Sequence, residues 1–258
     1  MSTERIYQAV LDVAAAGPSQ GGFQTHLDVG AGSGRLARLF QERFHTVTST
    51  CDYTDQLMKL AGQKVDIVNL NGEPFPYPDA SFDLITATEV VEHLERYREV
   101  LRDLYRILKP GGLCILTTPN ILNLNSRLRF LWFGYWNLFG PLPVKHGALY
   151  STGGHINPVS YFYLAHALMD AGFGSVNLAV DKYQRSAIPK LILLFLPIQL
   201  FGKLAFRTER TKYRTIDPVN APFVRAMNSV PMLLGRTIVV SARKPLAPEE
   251  FRTAAPTG

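Results

Sequence analysis

Leu27-Asp28-Val29-Gly30-Ala31-Gly32-Ser33-Gly34 is the stretch on which the fold turns. An apolar run enters a loop in which every second residue is glycine, and Leu36, Leu39 and Phe40 then recur at helical spacing. That order reads as a buried strand, a tight loop and an amphipathic helix. Glycine allows positive φ and a close approach of backbone to ligand. A dinucleotide loop wants glycine at its first, third and sixth positions. Here the sixth position is Arg35 and no Gly-Lys-Ser/Thr follows, so neither a pyrophosphate loop nor a P-loop is expected. Asp52 lies 22 residues beyond Gly30, just past the next apolar run. A carboxylate there can accept hydrogen bonds from both ribose hydroxyls. Taken together, loop and aspartate predict an adenosine-like ligand and say nothing about its chemistry.

Outward from this stretch, strand and helix patterns alternate. Strands are expected near 24–29, 46–51, 64–68, 82–87, 113–118, 175–180 and 236–242, and helices near 2–16, 33–44, 54–61, 95–108 and 158–171. Residues 71–80 hold three prolines and read as a loop, and Lys109-Pro110-Gly111-Gly112 reads as a sharp stop and turn. The expected fold is α/β: a doubly wound, seven-stranded, mostly parallel, Rossmann-like sheet with its ligand at the carboxyl ends of the strands. Residues 1–22 are expected to form an N-terminal helix and linker, 23–245 the main domain, and 246–258 a disordered tail rich in Pro, Ala and Thr. Within the domain, 120–157 and 182–235 stand out as insertions.

The chain has 258 residues and 47% hydrophobic composition, ample for a large core. Cys51 and Cys114 both fall in apolar runs, which suits free core thiols in a reducing, cytoplasmic setting. The N-terminal segment carries Glu4, Arg5 and Asp12 among its apolar residues and is read as an amphipathic helix, not a signal core. Net charge is +6, yet residues 182–214 alone hold eight basic residues against Glu209, a local +7. The basicity therefore belongs to one segment.

Several ordered motifs carry a family resemblance: Leu27 to Gly34, then Cys51-Asp52-Tyr53, Pro76 to Asp83, Glu89-Val90-Val91-Glu92-His93-Leu94, and Leu108-Lys109-Pro110-Gly111-Gly112. The series resembles the class I S-adenosylmethionine-dependent methyltransferases, most nearly the small-molecule branch that includes ubiquinone-biosynthesis and sugar methyltransferases. It is strong over 24–120 and weaker at Gly154-His155-Ile156 and Ala171-Gly172-Phe173. The resemblance implies S-adenosylmethionine as cofactor. Asp28, Gly30, Ala31, Gly32 and Gly34 would hold its methionine end, Asp52 its ribose, and Tyr53 its adenine face. The family usually has an aspartate at the adenine amino group, where this chain offers Asn69 or Asn71; an amide oxygen can accept the same bond. Glu89 would sit beside the sulfonium.

A hydroxyl acceptor benefits from a base, for which His93 is the first candidate, His155 the second and Glu89 the third. Glu92-His93 could equally be a structural pair at a helix start, and His155 a loop contact. Thr86-Ala87-Thr88-Glu89 stands where Asp/Asn-Pro-Pro-Tyr marks enzymes that methylate base or amide nitrogen, so a nucleic-acid partner is not expected. No metal is expected either: Glu89-x-x-Glu92-His93 lacks the first histidine of an inverted zinc motif.

The 120–157 insertion holds both tryptophans, Trp132 and Trp136, with Arg127, Arg129, Phe130, Phe133, Tyr135 and Phe139, and reads as a lid over the acceptor. The second insertion contains Leu191 to Leu196, a nearly all-apolar run interrupted at Pro197, Gln199 and Lys203 and shorter than the roughly 20 residues a spanning helix needs. With its basic border it suggests a segment lying on an anionic membrane surface; a buried hairpin or a dimer contact is the alternative. The expected function is O-methylation of a small-molecule, lipid-linked or sugar acceptor hydroxyl by a cytoplasmic enzyme, peripheral at the inner face of a membrane. A non-catalytic, cofactor-binding assembly or regulatory protein of the same fold is the other reading, and oligomeric state stays open.

Overall fold

The computed structural model describes residues 3–17, 22–142 and 154–246. Its centre is a seven-stranded sheet in the order β3-β2-β1-β4-β5-β7-β6. The strands are β1 (Thr25–Val29), β2 (Val47–Asp52), β3 (Val65–Ile67), β4 (Phe82–Thr88), β5 (Leu108–Pro119), β6 (Gly174–Val180) and β7 (Thr237–Arg243). All neighbours are parallel except β7, which runs antiparallel to both β5 and β6. The inner parallel strands are covered on both sides, so β1, β4 and β5 bury successive residues, polar ones included, with little alternation.

Helices α1 (Glu4–Ala16) and α2 (Arg35–Phe44) cover one face, and α3 (Tyr97–Ile107) and α5 (Tyr161–Asp170) the other. Adjacent strand residues divide between the layers. Leu84, Ile115 and Val239 pack with Ile6, Val10 and Phe40, whereas Ile85, Leu116 and Val240 pack with Leu101, Leu104 and Leu164. The N-terminal helix is thus part of the domain's own core. Chain order reverses between β1 and β4, which places the ligand crevice of such a sheet at the carboxyl ends of those two strands.

Three local expectations are corrected. Residues 54–61 are turns, not a helix. The Lys59 amide donates to the Ser33 carbonyl at 3.2 Å and Gln56 N–H to Thr54 Oγ1, which draws the segment over the glycine loop and takes its amides out of a helical ladder. Lys109-Pro110-Gly111-Gly112 does not precede the strand but bulges inside it: Phe82 pairs with Leu108 while Leu84 pairs with Leu113. The expected helix 158–171 begins only at Tyr161, because the Val159 amide bonds back to the Asn157 carbonyl. The 246–258 tail lies outside the described residues beyond Leu246.

The two insertions join into one unit. In the first, Asn123 caps α4 (Leu124–Phe133) by accepting from the Ser126 amide, and Gly134 ends it at φ 74°. The second carries α6 (Ile188–Thr208), α7 (Ala221–Ala226) and α8 (Val230–Leu234). Asn125 bonds to Ser186 and to Lys190, Arg127 donates to Asn228 Oδ1 and the Met227 carbonyl, and Asn120 at the end of β5 donates to the Met232 and Gly235 carbonyls. Residues 143–153 of the expected lid lie outside the described residues.

The apolar run expected to fall short of a spanning helix belongs to a helix that is continuous through Pro197 for 21 residues and buries none of its side chains fully. The buried-hairpin alternative is overturned. With flanking turns the segment Arg185–Tyr213 reaches 29 residues, and an 18-residue window within it has mean hydropathy 1.6, enough by length and composition to cross a membrane. The chain nevertheless returns where it left: Tyr183 pairs with Gly235, and Arg236 N–H donates to the Lys182 carbonyl.

Candidate active site

The glycine loop follows β1 and takes the backbone that its sequence allows. Gly30, Gly32 and Gly34 have φ of 67°, 49° and 74°, and a Cβ on Gly30 would stand 2.5 Å from Val90 Cγ2. Asp52 at the end of β2 secures the loop: its Oδ2 accepts from the Gly32 amide at 2.8 Å and its Oδ1 from the Tyr53 amide at 2.7 Å. Each oxygen keeps a lone pair for a ribose hydroxyl. Tyr53 is half exposed beside it. Of the two asparagines, Asn71 spends Oδ1 on the Glu95 amide at the start of α3, while Asn69 accepts only from the Asn71 amide two residues on, at 3.2 Å, and is exposed.

Asp28 is buried under the loop. Burial pushes its carboxyl up to about 7; Thr86 Oγ1, donating to Oδ1 at 2.8 Å, opposes that shift. Thr86 accepts in turn from His26 Nε2 at 2.9 Å, and His26 Nδ1 meets Thr48 Oγ1 at 3.2 Å. Burial pushes His26 down to about 3, so it is a neutral relay of fixed orientation. Sequence reasoning passed over His26 and Thr86, because a histidine and a threonine inside strands carry no visible motif.

Glu89 leaves β4 at φ 57°, a left-handed backbone that a non-glycine residue holds only when its surroundings insist on it. Its amide is fixed by both the carbonyl and the hydroxyl of Thr117. Burial raises its carboxyl to about 7, against the pull of Arg236. One short turn later stand Glu92 and His93. The chain then returns from the first insertion along this turn: the Ile156 and Asn157 amides both donate to the Glu92 carbonyl, and His93 Nδ1 donates to the Gly154 carbonyl at 2.8 Å. His155 is thereby set edge-on to His93 with ring centres 4.9 Å apart, and Phe139 of the lid covers it. Burial lowers both imidazoles, so both are neutral near pH 7. The structure thus brings His93 and His155 together with Glu92, which the sequence suggested only as a helix-start partner, and sets Glu89 near enough to Glu92 for their carboxyls to repel.

Buried polar atoms without a partner mark the same place. Apart from those of Thr3 and Asp181, they belong to Asp28, Thr88, Glu89, Glu92, Thr118 and His155. These residues lie at the ends of β1, β4 and β5 and on the lid return. A buried polar atom without a partner is costly. The concentration of such atoms next to a glycine loop fits a polar, partly cationic ligand such as S-adenosylmethionine, whose ammonium suits Asp28. A separate cavity of about 430 Å³ lies between residues 70–75 and α3 and shares only Asn71 with the expected site. The Asp83 and Lys109 motif residues bond to each other and to Thr25 at the opposite end of the sheet, so they brace strands and do not face the ligand.

Comparison with known proteins agrees with this geometry. A family model described as a methyltransferase domain matches residues 1–178. The demethylmenaquinone methyltransferase of Listeria welshimeri is 29% identical over 141 residues, 49% of this chain and 59% of that protein. The dimethylglycine N-methyltransferase of Parasynechococcus marenigrum is 33% identical over 46% of this chain and 44% of its own length. The chain therefore matches about half the length of these relatives. An S-adenosylmethionine-dependent methyltransferase structure from Archaeoglobus fulgidus shares the fold at TM-score 0.58 and 18% identity, covering 94% of this chain and 95% of that one. With the glycine loop, the acidic residue after β2 and the sheet order in agreement, the chain belongs to the S-adenosylmethionine-dependent methyltransferase family.

Proposed function

We propose that the protein methylates a hydroxyl of a small amphipathic acceptor, such as a quinone precursor or a lipid-linked sugar, while resting on an anionic membrane surface. The observation that carries the reading is the cluster of unpartnered carboxylate and neutral imidazole atoms beside the glycine loop. The quinone and dimethylglycine activities named for the relatives support a small-molecule acceptor. Bound S-adenosylmethionine supplies a methyl on a sulfonium, and an O–CH3 bond forms as the C–S electron pair stays on sulfur.

The protein's part is to orient, to exclude water and to take a proton. Gly30, Ala31, Gly32 and Gly34 present the loop to the methionine end, and Asp28 pairs with its ammonium. Asp52 takes the ribose, Tyr53 lies against adenine, and Asn69, with the freer amide oxygen, takes the adenine amino group. His93 is unprotonated and holds its Nδ1–H on Gly154, so Nε2 is the lone pair that faces an acceptor hydroxyl; His155 and Glu89 stand next in line.

The membrane part rests on α6. Leu191, Leu194, Phe195 and Ile198 pack inward, so the opposite face, Ile192, Leu193, Leu196, Leu200, Phe201 and Leu204, is left to the outside. Lys203, Arg207, Arg210, Lys212 and Arg214 border it, exposed and in no ion pair among the described residues. An apolar face with a cationic border complements anionic lipid. Because both ends of the insertion return to one point of the sheet, the helix lies on the membrane and does not cross it. Its ties to α4 link that surface to the lid.

Transfer of labelled methyl from S-adenosylmethionine into a cell extract, sorted into lipid, sugar, protein and nucleic-acid fractions, tests the reaction. Label on oxygen in the lipid or sugar fraction is expected. Label on carbon or nitrogen removes the hydroxyl, and cofactor binding without transfer favours the non-catalytic alternative. Co-sedimentation with anionic vesicles at low salt tests the surface; absence of binding, or a dimer that hides α6, removes it.

A further inference from the structure

The acceptor-side cluster has a geometry that a proton-accepting dyad does not explain. In a carboxylate–histidine dyad the carboxylate accepts the imidazole N–H and so orients the ring. Here Glu92 is 0% exposed and neither of its oxygens takes an imidazole N–H; only its own amide and the Thr118 hydroxyl come near enough to favour its ionised form. Both imidazoles send their N–H elsewhere. His93 Nδ1 is bonded to the Gly154 carbonyl at 2.8 Å, and since a carbonyl only accepts, that nitrogen carries the proton. The His155 ring donates to the Leu138 carbonyl and leaves Nδ1 without a partner. Two rings whose tautomers are set by backbone carbonyls thus each keep an N–H-free nitrogen, beside a buried carboxylate that no cation pairs with.

We infer that Glu92, His93 and His155 form a site for one divalent transition-metal cation, closed on the β4 side by Glu89. One donor atom from each of the three lies within 4.8 Å of the others. Ligand bonds of about 2.1 Å place donors roughly 3.4 Å apart in a tetrahedral shell, so rotation of side chains closes the site without moving backbone. An N–H donated to a carbonyl is the outer-shell arrangement that ligating histidines characteristically show. Two imidazoles with one or two carboxylates suit Zn2+, Mn2+ or Fe2+ better than Mg2+ or Ca2+. Two carboxylates also balance the charge of a dication. Among the described residues no lysine or arginine occupies that role: Arg236 acts on Glu89, and no cationic side chain pairs with Glu92. The sequence hid the site because Glu92 and His93 adjoin in the chain while His155 arrives from the far side of the lid.

The inference deepens the hydroxyl reading and rests on it only for its chemistry. The cation would take the acceptor's oxygen. The O–H bond would then break, its electron pair staying on oxygen and its proton passing to Glu89, so Glu89 would take the base's part first given to His93, whose lone pair would hold the cation.

The test uses the full chain, stripped with a chelator and dialysed against Zn2+ or Mn2+ alone, with metal per chain read by mass spectrometry and bound Mn2+ by electron paramagnetic resonance. About one ion per chain is expected, with affinity reduced at least roughly 100-fold in Glu92→Gln and in His155→Gln. S-adenosylmethionine affinity, read by calorimetry, shows that each variant is folded; the isosteric Glu92→Gln guards against misfolding of the histidine variant. A wild-type chain that binds neither ion, or variants that bind as well as wild type, overturns the site. Stoichiometric metal with no hydroxyl methylation leaves the site standing and removes the hydroxyl reading. Undiminished methylation with no metal bound does the reverse.

Discussion

Asp28→Asn should stabilise the ligand-free protein while removing its cofactor, and the gain should depend on pH. Asp28 is 2% exposed, and burial moves its carboxyl from 3.8 to about 7. A raised carboxyl means that the folded chain holds a proton which the unfolded chain releases at lower pH. The stability this proton represents is complete below about pH 4 and is lost as pH climbs toward 7. At 1.36 kcal/mol per unit, the loss through this one group is on the order of 4 kcal/mol in all, of which about 2 kcal/mol falls between about pH 5.5 and pH 8.5. Asparagine keeps the shape and the bond from Thr86 but has no charge to bury. Glu89 and Glu92 titrate in both proteins, so they cancel in the comparison. Urea unfolding of wild type and variant at the two pH values gives the answer: the advantage of the variant should be larger at the higher pH by about 2 kcal/mol. Equal differences at both pH values, or a larger advantage in acid, would refute the account of a buried carboxylate held for the ligand's ammonium. In parallel, calorimetry should show S-adenosylmethionine affinity reduced at least tenfold, because a charge-assisted bond of about 1.5–3 kcal/mol is lost.

The other expectations are local. Gly30→Ala puts a methyl 2.5 Å from Val90 Cγ2 at a φ of 67°, so cofactor affinity by calorimetry should fall by about tenfold or more, with strain of roughly 1–3 kcal/mol. Thr86→Val strips Asp28 of its donor and His26 Nε2 of its acceptor, and denaturant unfolding should record a loss of about 1–3 kcal/mol, where an unchanged midpoint would contradict the relay. Glu89 titrates at about 7 and takes protons only when ionised, so methyl transfer should rise with pH through that value, and Glu89→Gln should flatten the rise. Leu196→Asp with Leu200→Asp should leave the thermal midpoint nearly unchanged, since both side chains are exposed. Binding to anionic vesicles should fall by about tenfold per residue, at about 1.5–3 kcal/mol for each buried leucine.

Much of the molecule is legible from the chain alone. The apolar runs and their glycine punctuation mark seven strands along the chain, because strands packed inside a sheet are denser in apolar residues than the turns that separate them. The glycines at 30, 32 and 34 and the acid at 52 are legible as a loop of left-handed backbone and the carboxylate that anchors it, because each needs particular residue types at set intervals. Pattern failed where long-range bonds outweigh local preference. Residues 54–61 have helical composition but are held to Ser33, and Lys109-Pro110-Gly111-Gly112 bulges within a strand because the sheet holds both of its flanks.

Tertiary structure alone decided how Glu92, His93 and His155 meet. His155 meets His93 because two amides beside it bond to the Glu92 carbonyl, and a hydrogen bond between segments so distant in sequence leaves no periodicity to read. Whether the apolar run in the second insertion was core or surface was equally open in the chain, since leucines serve both. Its burial was settled by what lies opposite: α8 and the start of α4 cover one side of α6, and among the described residues nothing covers the other. Sequence by itself determined the strands and the glycine loop that follows the first of them, because those depend on local geometry. The neighbours of Glu92 and the outward face of α6 depend on how remote segments pack, and only the folded chain decides them.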